Sequence, residues 1–382
     1  MNPLTELSIE ELRARQSLKW RTYEPDVIPM WVAEMDTTLP SAVAEALRSA
    51  VGRSDTGYPW PGTLPEAYCE FSQRRFGWAP DEARSRLVPD VMQGIVYVLR
   101  TVTARGDGVV VNPPVYHPFF PFIRNHADRR VVTVPLRPDA GLDLDALASV
   151  FAQPDVTAYL LCNPHNPTGH VYDRATLLAV AELAQRHGVR MLVDEIHAAL
   201  TFPGVTAVPF LSLADEVEAA ARAFVFTSAS KAFNLPGLKA ALVFAGPAAA
   251  EDLAELPWEV VVGAGHFGVI GSEAALRYGD SWLDALIGGL TENRALLGRL
   301  LGELLPDVGY RPPDATYLAW LDCRALGLGE NPMQVFLDRG RVGLVNGAPF
   351  GESGRGHVRL NFATRPDLLA EGVQRMASVV SR

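Results

Sequence analysis

Residues 159–169 read Tyr159-Leu-Leu-Cys-Asn-Pro-His-Asn-Pro-Thr-Gly169, four apolar residues without a break, then two Asn-Pro steps and a glycine. An unalternating apolar run closed by turn chemistry predicts a strand buried on both faces, with polar residues gathered at its end. The theme recurs three times. Val109-Val110-Val111 leads into Asn112-Pro113-Pro114, Met191-Leu192-Val193 into Asp194, and Phe224-Val225-Phe226 into Thr227-Ser228. Between two of these runs, Ala175 to His187 carries apolar residues at helical spacing and stops at Gly188, a residue suited to a helix C-cap. Strands alternating with helices predict an α/β fold, a mostly parallel sheet between helices. The polar residues then fall just past the strand ends, where open sheets of this kind take their ligands. Residues 48–270 are read as this large domain.

After Gly271 the pattern changes. Ser272 to Leu305 reads as one long helical stretch, Thr316–Leu321 and His357–Phe362 as short strands, and the residues from Asp367 as a last helix. That predicts a smaller α+β C-terminal domain over 271–382, with an N-terminal segment, 1–47, packing against it. No repeat, low-complexity tract or flexible linker separates the two, so the boundary is expected inside the helical stretch.

Composition narrows the function. The 382 residues are 48% hydrophobic and 20% charged, a globular balance, and 34 basic against 44 acidic side chains leave a formal charge of -10. A nucleic acid or an acidic membrane needs a basic footprint, so neither is expected as partner. Cys69, Cys162 and Cys323 lie far apart with no CxxC pair, which excludes a disulfide framework and a cysteine metal site. The first sixteen residues carry no apolar signal core, and no run approaches the ~20 apolar residues of a membrane span. A cytoplasmic protein is expected.

Two motifs mislead. Gly263-Ala-Gly-His-Phe-Gly268 matches GxGxxG after Val260–Val262, but the region where a second strand and its acid should follow, Ser281 to Glu292, reads as helix. His165, His170, Asp194 and His197 suggest a metal, yet they straddle two strand ends and include no HExxH, so no metal is expected. The stronger signal is a set of three pieces, each after a predicted strand: Asn163 to Gly169, Asp194-Glu-Ile-His197, and Thr227-Ser-Ala-Ser-Lys231. A lysine reached through small hydroxyl residues at a strand end suits Schiff-base chemistry. A carboxylate at another strand end can hold a heterocyclic nitrogen protonated, and Asn166, set between two prolines, can hydrogen-bond a ring oxygen. Singly, each has a plain structural explanation as a turn, a helix N-cap or a surface lysine. The combination points to a site.

The sequence resembles the pyridoxal-phosphate enzymes of fold type I in the class I/II aminotransferase family. Within that family it is most similar to the cystathionine β-lyase-like branch, the MalY/PatB-like C–S lyases. The resemblance covers nearly the whole chain. It rests on Lys19-Trp20, Trp31-Val-Ala-Glu-Met-Asp36, Gly57-Tyr-Pro-Trp-Pro61, the three pieces above, the extension of the lysine motif to Gly237, and Arg359-Leu-Asn-Phe-Ala363. It implies pyridoxal 5'-phosphate as cofactor, a seven-stranded-type sheet, and a homodimer with shared active sites. Lys231 would carry the cofactor and move the Cα proton of the substrate. Asp194 would pair with the ring nitrogen, and Tyr116 would stack on the ring; these three are the candidate catalytic residues. Asn166 and His197 would sit by the ring oxygen. Gly94 and Ile95, after Gln93, would offer backbone N–H groups to the phosphate, with Ser228 and Ser230 adding hydroxyls. Tyr58 would reach the phosphate and substrate from the neighbouring subunit, and Arg359 would grip the α-carboxylate of the amino-acid substrate. The broad family often has an arginine eight residues after the lysine; Lys239 stands there and keeps the charge without the fork. The reaction implied is β-elimination from cystathionine or another cysteine S-conjugate, giving thiol, pyruvate and ammonia. An aminotransferase is the alternative. A regulatory protein with a structural cofactor is disfavoured by the intact lysine, aspartate and arginine.

Overall fold

The computed structural model describes residues 2–380; Met1, Ser381 and Arg382, at the outer ends of the first and last expected segments, lie outside the described residues. In chain order the strands are β1 (Ile28–Pro29), β2 (Ser85–Val88), β3 (Gly108–Val111), β4 (Arg130–Thr133), β5 (Val156–Cys162), β6 (Arg190–Asp194) and β7 (Phe224–Thr227). They continue with β8 (Ala241–Ala245), β9 (Gly309–Tyr310), β10 (Leu318–Asp322), β11 (Val342–Gly343), β12 (Val345–Asn346) and β13 (His357–Asn361). Seven of them form one sheet in the order β2-β8-β7-β6-β5-β3-β4. β8 runs antiparallel to both its neighbours and the other pairs are parallel. The four apolar runs of the sequence are β3, β5, β6 and β7, next to one another at the centre. All residues of β3 and β7 are buried, as a strand covered on both faces must be.

Register decides where the chemistry emerges. Cys162 pairs with Asp194 and Asp194 with Phe226, so β5, β6 and β7 end at nearly one level. The turns after them therefore open onto one edge of the sheet. The helix Arg174–His187 returns the chain from β5 to β6. Asp173 caps it by accepting from the Thr176 N–H, and Gly188 ends it in the left-handed conformation at φ +69°. The helix Val91–Val102 follows β2 and is capped by Asp90, whose side chain accepts from the Gln93 N–H at 2.9 Å.

The expected helix from Ser272 to Leu305 is two helices, His266–Tyr278 and Asp280–Leu304, meeting at Gly279. The first packs on the helices Ser41–Gly52 and Leu64–Phe76, the second on the last helix, Pro366–Val380. A second sheet, antiparallel in the order β12-β13-β10-β9, contains the two short strands expected from the sequence. β1 pairs in parallel with β11, tying the N-terminal residues to this end of the molecule. The GxGxxG decoy begins after a helical turn, Glu259–Val262, and its Gly265 and Gly268 lie where a Cβ would meet the Leu238 carbonyl at 2.1 and 2.3 Å. These glycines permit close packing; they do not cradle a nucleotide. No helix among the described residues is long and apolar enough to cross a membrane.

The N-terminal residues carry a buried ion pair. Lys19 Nζ lies 2.8 Å from Asp36 Oδ2, both side chains are about 1% exposed or less, and Trp20 Nε1 donates to Asp36 Oδ1 at 2.9 Å. Removing one partner strands a buried charge, whereas removing both does not. Lys19→Met is therefore expected to destabilise the protein by about 3–5 kcal/mol, and the double variant with Asp36→Asn by much less. Urea unfolding of the three proteins checks this; equal midpoints for the single and double variants would refute it.

Candidate active site

A cavity of about 510 Å³ opens where the ends of β5, β6 and β7 face the small sheet. Its wall includes Tyr116, Asn166, Asp194, His197, Ser228, Ser230, Lys231, Lys239 and Arg359, nine of the twelve residues singled out in the sequence. The lysine arrives on a short helical turn, Ala229–Ala232, directly after β7. Ser228 starts that turn: its Oγ accepts from the Ser230 N–H at 3.0 Å and donates to the Ala240 carbonyl at 2.7 Å. The Ser228 hydroxyl proton is thus engaged within the protein. Lys231 Nζ donates to the Ala33 carbonyl at 3.1 Å, and the Tyr317 hydroxyl donates to the same oxygen at 3.1 Å.

Asp194 is buried at the end of β6 and accepts one N–H, from Ile196 at 3.0 Å. Burial pushes its pKa up to about 6, against the pull of that hydrogen bond and of Lys231. Burial brings Lys231 down to about 8, with Arg359 adding repulsion and Asp194 opposing. His197, also buried, falls to about 3, first through burial and then through Lys231 and Arg359, so it is neutral at working pH. Arg359 on β13 is 3% exposed, donates from Nη1 to Asn166 Oδ1 at 3.1 Å and from Nη2 to the Trp31 carbonyl at 3.4 Å, and leaves its buried Nε without a partner. Burial lowers its pKa as well, but the guanidinium remains a cation at working pH.

Three expected residues stand elsewhere. Gly94 and Ile95 lie one turn inside the helix Val91–Val102, not on the cavity. The Gly94 N–H is given to the Asp90 carbonyl at 3.0 Å, and a Cβ at Gly94 would meet Val243, Phe226 and Val88 at 3.1–3.2 Å, so this glycine seats the helix on the sheet. The cavity wall there is Asp90, Val91 and Met92. Among the described residues the Val91 and Met92 N–H groups have no partner, as at any helix N-terminus. Lys239 Nζ is 3.0 Å from Asp90 Oδ2, which shares its charge with a carboxylate. Tyr58 is 86% exposed, beside Trp60 at 76%, and does not border this chain's own cavity.

Sequence reasoning misses part of the wall: Trp31 to Ala33, His117, Phe122, and the pair Thr316–Tyr317 behind it. Trp31–Asp36 stands out in the sequence only as a point of resemblance, and Thr316–Tyr317 reads as the start of a strand. Two of the four residues that suggest a metal are engaged elsewhere. His165 Nε2 meets the Pro114 carbonyl at 2.8 Å and His170 Nδ1 meets Asp314 at 3.0 Å, and no metal-binding group of three or more side chains exists among the described residues.

An acid able to meet a ring N–H⁺, a lysine of lowered pKa, an arginine with an unpartnered Nε and a free helix N-terminus around a flat aromatic wall fit pyridoxal phosphate. The chain belongs to the aminotransferase class I and II family, whose model matches residues 25–376. Its fold is that of pyridoxal-phosphate fold type I. Within this family it is 51% identical over 402 residues, 98% of each chain, to a Mycobacterium tuberculosis protein provisionally named cystathionine beta-lyase. It is 35% identical to cystathionine beta-lyase PatB of Bacillus subtilis, over 97% of this chain and 98% of that one. A crystal structure from Corynebacterium diphtheriae, provisionally described as a PLP-dependent beta-cystathionase, superposes with a TM-score of 0.92 at 36% identity over 98% of each chain.

The electrostatics give a measurable signature. In cofactor-free protein, acylation of Lys231 should rise with pH around a midpoint near 8, below that of ordinary lysines, because burial lowers its pKa. Arg359→Ala should move the midpoint up and Asp194→Asn should move it down. Mass spectrometry of pH-stepped labelling reads all three; a wild-type midpoint above 10 would refute the assignment.

Proposed function

We propose that this chain is a pyridoxal-phosphate-dependent carbon–sulfur β-lyase that converts cystathionine or another cysteine S-conjugate into a thiol, pyruvate and ammonia. One observation carries the reading: Lys231 and Asp194, from strand ends of the large sheet, share a cavity with Arg359 of the small sheet. Pyridoxal phosphate, when bound, supplies an electron sink for negative charge at the Cα of an amino acid. Lys231 would hold it, and its Nζ would be the group that takes the Cα proton; a pKa near 8 leaves a useful fraction of free base at neutral pH. Asp194 keeps the ring nitrogen protonated, and that cation in turn favours the ionised carboxylate. Arg359 holds the α-carboxylate with two parallel hydrogen bonds, which fixes the Cα–H bond relative to Lys231.

Tyr116 would provide the flat face against the ring, and Asn166 and His197 would hydrogen-bond its oxygen. The Val91 and Met92 N–H groups at the helix N-terminus would hold the phosphate, with Ser230 and the Asp90–Lys239 pair alongside. The names of the relatives favour elimination over transamination. The exposed Tyr58 and Trp60 suit a homodimer in which Tyr58 completes the partner's site. Three unpaired cysteines and a charge of -10 are in keeping with a cytoplasmic enzyme that engages neither nucleic acid nor membrane.

Elimination and transamination share removal of the Cα proton and differ in outcome: elimination expels the group on Cβ, whereas transamination needs a 2-oxo acid as amino acceptor. An S-substituted cysteine should yield catalytic pyruvate, ammonia and free thiol with no 2-oxo acid added. Arg359→Ala should reduce kcat/KM by at least about 100-fold, the cost of losing a charge-assisted bidentate contact. Turnover that requires an added 2-oxo acid and releases no thiol would replace this reading with an aminotransferase.

The assembly has its own test. Tyr58→Phe and Lys231→Ala dimers, each strongly impaired, should regain activity on subunit exchange, since one hybrid site then holds both native residues. Proven exchange without recovery would show that Tyr58 does not act across a dimer.

A further inference from the structure

Thr316 is an unusual residue to find behind this cavity. It is 1% exposed and has a φ of +71°, in the left-handed region that β-branched residues avoid. Glycine or asparagine would take that backbone with less strain. The segment around it is stitched to the loop after β6 and to the N-terminal strap. The Thr316 N–H donates to the Leu200 carbonyl at 2.9 Å, Ala315 bridges to Thr201, and the next residue, Tyr317, donates its hydroxyl to the Ala33 carbonyl. β10 of the small sheet begins one residue later.

The side chain explains the choice. Thr316 Oγ1 lies 3.0 Å from His197 Nδ1, inside the protein. His197 borders the cavity, and among the described residues its Nε2 has no hydrogen-bond partner. Burial keeps the ring neutral, so it carries a single N–H. A hydroxyl that donates to Nδ1 forces that hydrogen onto Nε2, the nitrogen left for a ligand.

We propose that Thr316 is a positioning residue: its hydroxyl donates to His197 Nδ1, holds the ring in the Nε2–H form, and so aims a hydrogen-bond donor at the ring oxygen of the cofactor. The last step rests on the function proposed above; the tautomer does not. Because Thr316 leads into the small sheet and His197 follows β6 of the large one, the same bond couples the donor's orientation to the seating of the small sheet. The charged groups acting on His197 are Lys231 and Arg359, with Asp194 acting on Lys231, and none is altered in the variants that test the idea.

Thr316→Val keeps shape and backbone strain but loses the hydroxyl. Thr316→Gly loses the hydroxyl and relieves the strain, so it should fold at least as well as the parent. Thr316→Ser keeps the hydroxyl. In cofactor-free protein labelled with ¹⁵N-histidine, the His197 signals, identified by their loss in His197→Gln, should report the Nε2–H form in the parent and in Thr316→Ser. In Thr316→Val and Thr316→Gly they should report a mixture. In the holoenzyme, the visible band of the bound cofactor should titrate about 1 pH unit higher in Val and Gly than in the parent, because a donor to the anionic oxygen has been lost. Serine should restore the parent value. An Nδ1–H parent, or Val and Gly variants that titrate with the parent, would overturn the proposal. Absence of any visible band would reject the cofactor reading instead, and the tautomer would still decide the hydrogen bond.

Discussion

Charge withheld from water without a counter-ion is the condition on which this site is built. Asp194 and Arg359 are buried, Lys231 lines the same cavity, and none of the three forms an ion pair among the described residues. Each makes do with neutral partners: a backbone N–H for the acid, a peptide carbonyl for the lysine, an amide oxygen and a carbonyl for the arginine. Isolated buried ions cost several kcal/mol apiece, and the raised acid and lowered base record that cost. Under the proposed function, a protonated ring nitrogen would supply the counter-charge for Asp194 and a substrate carboxylate that for Arg359. The sheet supports the arrangement because β5, β6 and β7 end level, so residues far apart in the chain are held at fixed separations.

The second element is the strap Trp31–Asp36. Asn234, three residues after Lys231, accepts from the Met35 N–H and donates to the Met35 carbonyl, both at 2.8 Å. Asn361, two residues after Arg359, donates to the Val32 and Glu34 carbonyls, both at 2.7 Å. Lys19 and Trp20 hold Asp36 at the far end. Several of the stretches that make the chain resemble one branch of its family are therefore contacts of a single structure: three distant pieces that fasten one strap beside one cavity. The carbonyl of Ala33, where Lys231 and Tyr317 converge, is fixed by the same fastenings.

How much of this is legible in the sequence depends on the range of the forces. The four central strands are legible because burial on both faces leaves an apolar run, and the helix Arg174–His187 because its caps are local. Asn166, Asp194 and Lys231 are legible because each stands at or within four residues of the end of such a strand. Gly94 misleads because it looks like a phosphate-loop glycine, whereas its missing Cβ makes room for Val243, Phe226 and Val88 of the sheet beneath. Tyr317 and Thr316 are invisible because their contacts, with the Ala33 carbonyl and His197, join segments far apart in the chain, and no local pattern encodes that. The junction at Gly279 is hidden for a similar reason: the residues on both sides are helical, and only their different packing partners mark the change.

The end of the cavity lined by Asp90 and Lys239 shows how one departure from the family pattern makes sense of another. A carboxylate at a helix N-terminus is favourable for the helix, since Asp90 caps Gln93 and opposes the dipole. Placed beside the proposed phosphate, however, the same carboxylate repels it. Lys239 answers that repulsion directly: as a compact point charge on a flexible stem it can sit 3.0 Å from Asp90 and still border the cavity. An arginine fork at this position would engage Asp90 or a phosphate through a rigid two-point geometry and could not divide itself as readily between them. Lysine in place of arginine is thus matched to an acid in the helix cap, and the pair as a whole is close to neutral. What remains to attract a phosphate is the pair of free N–H groups of Val91 and Met92 and the dipole behind them, with the glycine one turn further in letting that helix press close to the sheet.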